Sequence, residues 1–179
     1  CGELQKIPNL SVFPNLRDLK IHWCGKLNGL HGLDEAPNLQ RLDLQACNGL
    51  RTIPIQSPVA NLIHLSVGWF RSSTSLPHLP NFSALETLNL NSCLELRKAP
   101  DLSNLDQLKR LNLSGCTRLE EMADLPELAR LRHLDLNGCE NLRKLDLRGL
   151  SGLKELHLGR CVSLQKIQNL SVCKNLKKL

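Results

Sequence analysis

Leu108-Lys109-Arg110-Leu111-Asn112-Leu113-Ser114-Gly115-Cys116 is the stretch that decides the fold. Read as L-x-x-L-x-L-x-x-C, it sets leucine at its first, fourth and sixth positions and cysteine at its ninth. Apolar fourth and sixth positions with a polar residue between them are the alternation of a short, half-buried strand. The same frame opens at Leu16, Leu39, Leu62, Leu85, Leu131, Leu153 and Leu176. Every step is 23 residues except the 22 between Leu131 and Leu153. Self-similarity this regular means one structural unit used repeatedly.

Around that frame the apolar residues fall into columns. The fourth and sixth positions read Leu19 and Ile21, Leu42 and Leu44, Leu65 and Val67, Leu88 and Leu90, Leu134 and Leu136, Leu156 and Leu158. The ninth position holds Cys24, Cys47, Cys93, Cys116, Cys139 and Cys161, with Cys1 in the same phase and Phe70 in the unit that begins at Leu62. Second halves supply three further columns. One runs Leu27, Leu50, Leu96, Leu119, Leu142, Leu164, and another Ile7, Leu30, Ile53, Leu76, Ala99, Met122, Leu145, Ile167. The third runs Phe13, Ala36, Val59, Phe82, Leu105, Leu128, Leu150, Cys173. Words such as Pro14-Asn15, Pro37-Asn38 and Pro100-Asp101 favour turns and short irregular or 3₁₀ pieces there, giving a loosely helical return.

One such unit cannot bury its own apolar edge. Stacking makes each column continuous, and stability becomes a sum of nearest-neighbour interfaces. The expected architecture is one domain over residues 1–179: a truncated unit 1–15, full units from 16, 39, 62, 85, 108, 131 and 153, and a truncated unit 176–179. Polar caps are missing at both ends, so a segment of a longer protein is expected. Strands of successive turns should lie parallel and ~4.8 Å apart on a concave face.

Composition agrees with a repeated packing solution. Aromatics are 3%, Tyr is absent and Met occurs once, whereas a compact core mixes shapes to fill space. No apolar run approaches the ~18 residues of a membrane span, and no signal or transit peptide is visible. The net charge of +6 permits attraction to acidic partners, but Lys and Arg are scattered among Asp and Glu, as on a solvated surface. No Ser-His-Asp spacing, paired carboxylates or Gly-rich phosphate loop stands out, so no enzyme and no cofactor is expected.

Eight cysteines in a short chain raise the question of a disulfide scaffold. Seven of them share one column at the repeat period, which points their side chains the same way. The reading is a ladder of reduced thiols, each a small buried hydrophobe and weak S–H donor to loop carbonyls, in a reducing compartment. A zinc site at His22 and Cys24 finds no second ligand pair, so no metal is expected. Four Asn-x-Ser sequons, at Asn9, Asn81, Asn112 and Asn169, read as words of the repeat, Asn112 falling mid-strand.

The pattern resembles the leucine-rich-repeat family over essentially the whole chain. That resemblance implies an α/β fold: a curved, right-handed solenoid with one short parallel strand per unit on the concave face. Closer words are Leu111-Asn112-Leu113-Ser114-Gly115-Cys116-Thr117-Arg118-Leu119, Leu134-Asp135-Leu136-Asn137-Gly138-Cys139-Glu140-Asn141-Leu142 and Leu94-Glu95-Leu96-Arg97-Lys98-Ala99-Pro100-Asp101-Leu102-Ser103-Asn104-Leu105. These look like the repeats of plant intracellular nucleotide-binding leucine-rich-repeat immune receptors. The resemblance implies a cytoplasmic or nucleocytoplasmic module whose partner is a pathogen effector or a neighbouring domain of the same receptor. The alternatives are the substrate-recruiting arm of a ubiquitin ligase, whose units are usually longer and more helical, and a structural scaffold in a larger assembly.

Binding must use the positions between the leucines. Concave-face candidates are His22, Trp23, Arg41, Asp43, His64, Trp69, Arg110, Arg132, His133, His157 and Arg160. Trp23 and Trp69 share the eighth position and should stand two turns, ~10 Å, apart. Arg71-Ser72-Ser73-Thr74-Ser75 breaks the pattern after them. Trp beside Arg and His is the makeup of an interface hot spot, and equally of aromatic residues plugging an irregular unit. The later half is basic and polar without aromatics, which disfavours nucleic acid and leaves a merely solvated face open.

Overall fold

The computed structural model describes residues 1–33, 35–50, 61–70, 82–122, 125 and 128–179. Within them the chain forms a parallel β-solenoid. Nine strands of three residues each occur: β1 (Asp18–Lys20), β2 (Arg41–Asp43), β3 (His64–Ser66), β4 (Thr87–Asn89), β5 (Arg110–Asn112), β6 (His133–Asp135), β7 (Lys144–Asp146), β8 (Glu155–His157) and β9 (Lys166–Gln168). Seven of them make one sheet in the order β1-β2-β3-β4-β5-β6-β8. Every pairing in it is parallel, with Leu19, Leu42, Leu65, Leu88, Leu111, Leu134 and Leu156 directly aligned.

That register follows from the leucines. From Leu42 onward the central residue of each of these strands is at most 1% exposed, and its two neighbours point outward. A slip of one residue would turn every leucine to solvent, so the burial pattern fixes the pairing. Backbone bonds continue past the strands. Ile21 N–H donates to Asp43 O, and Leu44, Val67, Leu90, Leu113 and Leu136 repeat the step. The column Leu27, Leu50, Leu96, Leu119, Leu142 is buried as expected. A further column that sequence analysis did not separate, Leu10, Leu33, Leu102 and Leu147, is buried as well.

Two expectations need correction. The returns are irregular with short 3₁₀ pieces, as expected, but less helical than the sequence implies. Three-residue 3₁₀ turns occur at Leu10–Val12 and Leu170–Val172, and among the described residues the rest is turn and extended chain. Part of that extended chain makes its own parallel ladder: β7 pairs with β9, and single bridges join Lys98 to Glu121 and Glu121 to Lys144. Proline and asparagine deny the returns a helical hydrogen-bond pattern, so their backbone groups bond between turns instead. Asn38 and Asn61 also donate side-chain N–H groups to Pro14 O and Pro37 O one turn back. Phe13, expected in a core column, is 47% exposed; Ala36 is its one stacked neighbour in that column among the described residues. The expected positions Ile53, Val59, Leu76, Asn81 and Arg71–Ser75 lie outside the described residues.

The cysteine column forms as a thiol ladder. Cys47, Cys93, Cys116, Cys139 and Cys161 each donate S–H to the sixth-position carbonyl of the preceding turn, Ile21, Val67, Leu90, Leu113 and Leu136, at 3.1–3.3 Å. All eight cysteines are unbridged. Burial pushes the Cys47, Cys161 and Cys173 thiols up, and the Cys139 thiol up to about 12. Cys1 departs from the column's behaviour: it is exposed. Cys24 is buried but bonds within its own turn, to His22 O at 3.5 Å.

Candidate protein-binding face

Positions three and five of each unit flank the buried central leucine and present their side chains on one face of the main sheet. Several are cross-linked between neighbouring strands. Arg41 Nη1 lies 3.2 Å from Asp18 Oδ1, and His22 Nε2 lies 3.0 Å from Asp43 Oδ2. Asp43 Oδ1 is buried with no hydrogen-bond partner, so that carboxylate retains an unused acceptor. His64, opposite Arg41 on the neighbouring strand, is half-buried; burial lowers its pKa, and Arg41 lowers it further.

Farther along, β4, β5, β6 and β8 line a shallow depression of about 330 Å³. Its rim carries Arg110, Asn112, His133, Asp135, Glu155 and His157. Glu155 is the hub: its Oε2 is 3.2 Å from His133 Nδ1 and 3.6 Å from His157 Nε2, and its Oε1 is 3.6 Å from Lys178 Nζ. The His133 hydrogen bond is the main cause holding its carboxyl below the ordinary range. Arg110, His133 and His157 were expected on this face, and Glu155 joins them unexpected. The signal was available: Glu155 occupies position three of the unit from Leu153, in register with His133.

Trp23, Trp69 and Arg160 belong to a different part of the surface. They occupy position eight, at the turn after the strand, and all three have left-handed backbones with φ of 58°, 60° and 60°. The whole column is left-handed: Ala46, Ser92, Gly115 and Gly138 occupy it in the other units. The chain must reverse there before the cysteine dives inward, and glycine meets that need without strain. A bulky side chain in this conformation is an outlier. The two rings stand closer than strand spacing implies, with centroids 6.2 Å apart and planes inclined at 44°. Ala46, the residue between them, is small and 6% exposed, which leaves the rings room to lean together. Trp23 is 65% exposed, and the pair borders an open hollow of about 430 Å³ with Gly25, Lys26 and Asn48.

Arg132 does not belong with either group. It precedes β6, at position two, and its Nη1 donates to Gly152 O at 3.0 Å, clasping the next turn. The structure therefore divides the candidates three ways: His22, Arg41, Asp43 and His64 at one end of the sheet face, Arg110, His133 and His157 in the depression, and Trp23, Trp69 and Arg160 along the turn edge.

Comparison with known proteins agrees with this architecture. The family model described as the endo-beta-N-acetylglucosaminidase EndoS LRR domain matches residues 72–175. No curated protein matches. Among solved structures, the leucine-rich repeat domain of the type III effector XopL is similar, with a TM-score of 0.73 and 23% identity over 98% of this chain and 72% of that one. Leucine-rich-repeat domains are in general protein-interaction scaffolds without catalysis. On its repeat period, its stacked register and the matched span, this chain belongs to the leucine-rich-repeat family of the EndoS LRR type.

Proposed function

We propose that this chain is the partner-sensing segment of an intracellular immune receptor of the plant type. It recognises a protein, either an effector or a neighbouring domain of the same receptor. One observation carries the binding role: Trp23 and Trp69 are held in a left-handed backbone conformation that the other units fill with alanine, serine, glycine or, once, Arg160. An L-residue there costs roughly 1–2 kcal/mol relative to an unstrained one. Trp23 leaves 65% of its surface in solvent, and the side-chain contact the structure gives it is the ring of Trp69. Residues kept against local strain cluster at functional sites, and tryptophan is enriched at interface hot spots.

The receptor assignment rests on the Leu-Asn-Leu-Ser-Gly-Cys vocabulary, and the reducing compartment on thiols that act as S–H donors in the core. In the receptor that contains this chain, Trp23→Gly abolishes recognition-dependent signalling while circular dichroism and thermal midpoint stay unchanged or rise. Recognition that survives in both Trp23→Gly and Trp69→Gly sinks the proposal. So does loss of recognition accompanied by unfolding in both.

A further inference from the structure

Charges across this solenoid follow a rule. Side chains one turn apart are opposite in sign: Lys26 with Glu3, Arg41 with Asp18, Arg97 with Glu120, Lys109 with Glu86, Arg118 with Glu95. All five pairs are 23 residues apart, so each links adjacent turns. Two places break the rule: Lys144 faces Lys166 in the β7–β9 pair, and one longer ladder runs along the main sheet. At position two, on the edge where the strands begin, Lys109, Arg132, Lys154 and Lys177 follow each other directly. Arg132 N–H donates to Lys109 O, Lys154 N–H to Arg132 O and Lys177 N–H to Lys154 O, at 2.7–2.8 Å. Like charges directly opposite on neighbouring strands are destabilising.

Compensation covers only the first half. Lys109 has Glu86 at 2.6 Å, and Arg132 has the Gly152 carbonyl. Lys154 and Lys177 are exposed and make no ion pair among the described residues; the carboxylate nearest in register, Glu155, is engaged by His133, His157 and Lys178. Folding does not require this arrangement, since the same position holds Gln40 and Ile63 in earlier units.

We propose that this edge is a docking site for a short acidic segment of a protein partner. Charge complementarity selects the occupant. Two steps of ~4.8 Å from Arg132 through Lys154 to Lys177 make the stripe about 10 Å long, the reach of roughly three extended residues. No aromatic residue lies in this ladder to stack a base, which disfavours single-stranded nucleic acid. The proposal rests on the protein-binding reading but uses the edge where strands begin, whereas Trp23 and Trp69 lie past the strand ends.

The probe is a capped hexaglutamate peptide, titrated by NMR against the 179-residue chain. Hexathymidylate DNA and phosphatidylserine-rich vesicles serve as competitors. Saturable shifts centred on Arg132, Lys154 and Lys177 are expected. Lys154→Gln with Lys177→Gln weakens binding by at least about tenfold, and Lys98→Gln with Lys166→Gln, an equal charge loss on the return ladder, by less than about twofold. The edge variant also melts about 1–2 °C higher at low salt, because repulsion is removed. Equal losses in the two variants reduce the effect to net charge and overturn the proposal. Tighter binding of hexathymidylate, or vesicle binding through these lysines in preference to the peptide, overturns it as well. In the receptor assay, recognition lost with Trp23→Gly but kept with the lysine pair refutes this edge alone; the converse refutes the tryptophan reading alone.

Discussion

At the scale of single residues, the thiol ladder shows how a small side chain serves both packing and polarity. Cysteine at position nine is a small side chain that packs in the core, and its S–H meets the sixth-position carbonyl one turn back. Ionising Cys47, Cys139 or Cys161 would put charge in the core, so at these positions the folded chain holds the proton more tightly than the unfolded one. With folded pKa values above the ordinary 9.0, and about 12 for Cys139, this stabilisation is complete below pH 9 and is lost as pH rises towards 12. Denaturant midpoints under reducing conditions should therefore fall between pH 8.5 and about pH 11. Cys139→Ala should flatten that slope, and an unchanged slope would contradict the thiol account. The sequence announced the column; which carbonyl each thiol reaches emerged only once turns were stacked.

Between elements, the contacts that matter are the close approaches of backbones. Gly152 precedes β8, and a Cβ there would lie 2.2 Å from Ala129 O and 2.8 Å from Arg132 Nη1. Gly25, by contrast, has open space around its would-be Cβ. Gly152→Ala should cost about 1–3 kcal/mol and Gly25→Ala under about 0.5 kcal/mol in chemical denaturation. Similar values for the two would mean that the turns are not held at this separation. Neither glycine stood out in the sequence, because a neighbour 20 or more residues away creates the crowding. The parallel ladder of the returns was hidden for a related reason. Leu142-Arg143-Lys144-Leu145-Asp146-Leu147 carries the strand spacing in full but Lys166–Gln168 is followed by Asn169 where the last leucine would stand, and the two pair because their turns are stacked in register.

For the whole molecule, each strand of the main sheet touches only its stacked neighbours, so disturbance should spread in one dimension. Leu134→Ala, at a fully buried site in β6, should cost about 2–5 kcal/mol. Amide-exchange protection should drop most in β5, β6 and β8 and least in β1 and β2. Uniform loss would indicate a single cooperative globule. The 23-residue period was enough to determine the register, the leucine and cysteine columns and the outward-facing positions, because a fixed period forces like residues onto adjacent turns. Tertiary structure alone decided where long side chains go from there. Tryptophan rings expected ~10 Å apart meet at 6.2 Å over a small alanine, Arg132 leaves the face to clasp a carbonyl, and four cations align on one edge with a carboxylate partner only for Lys109 among the described residues. Backbone spacing fixes the origin of a side chain; its rotamer and the size of its neighbour fix its end.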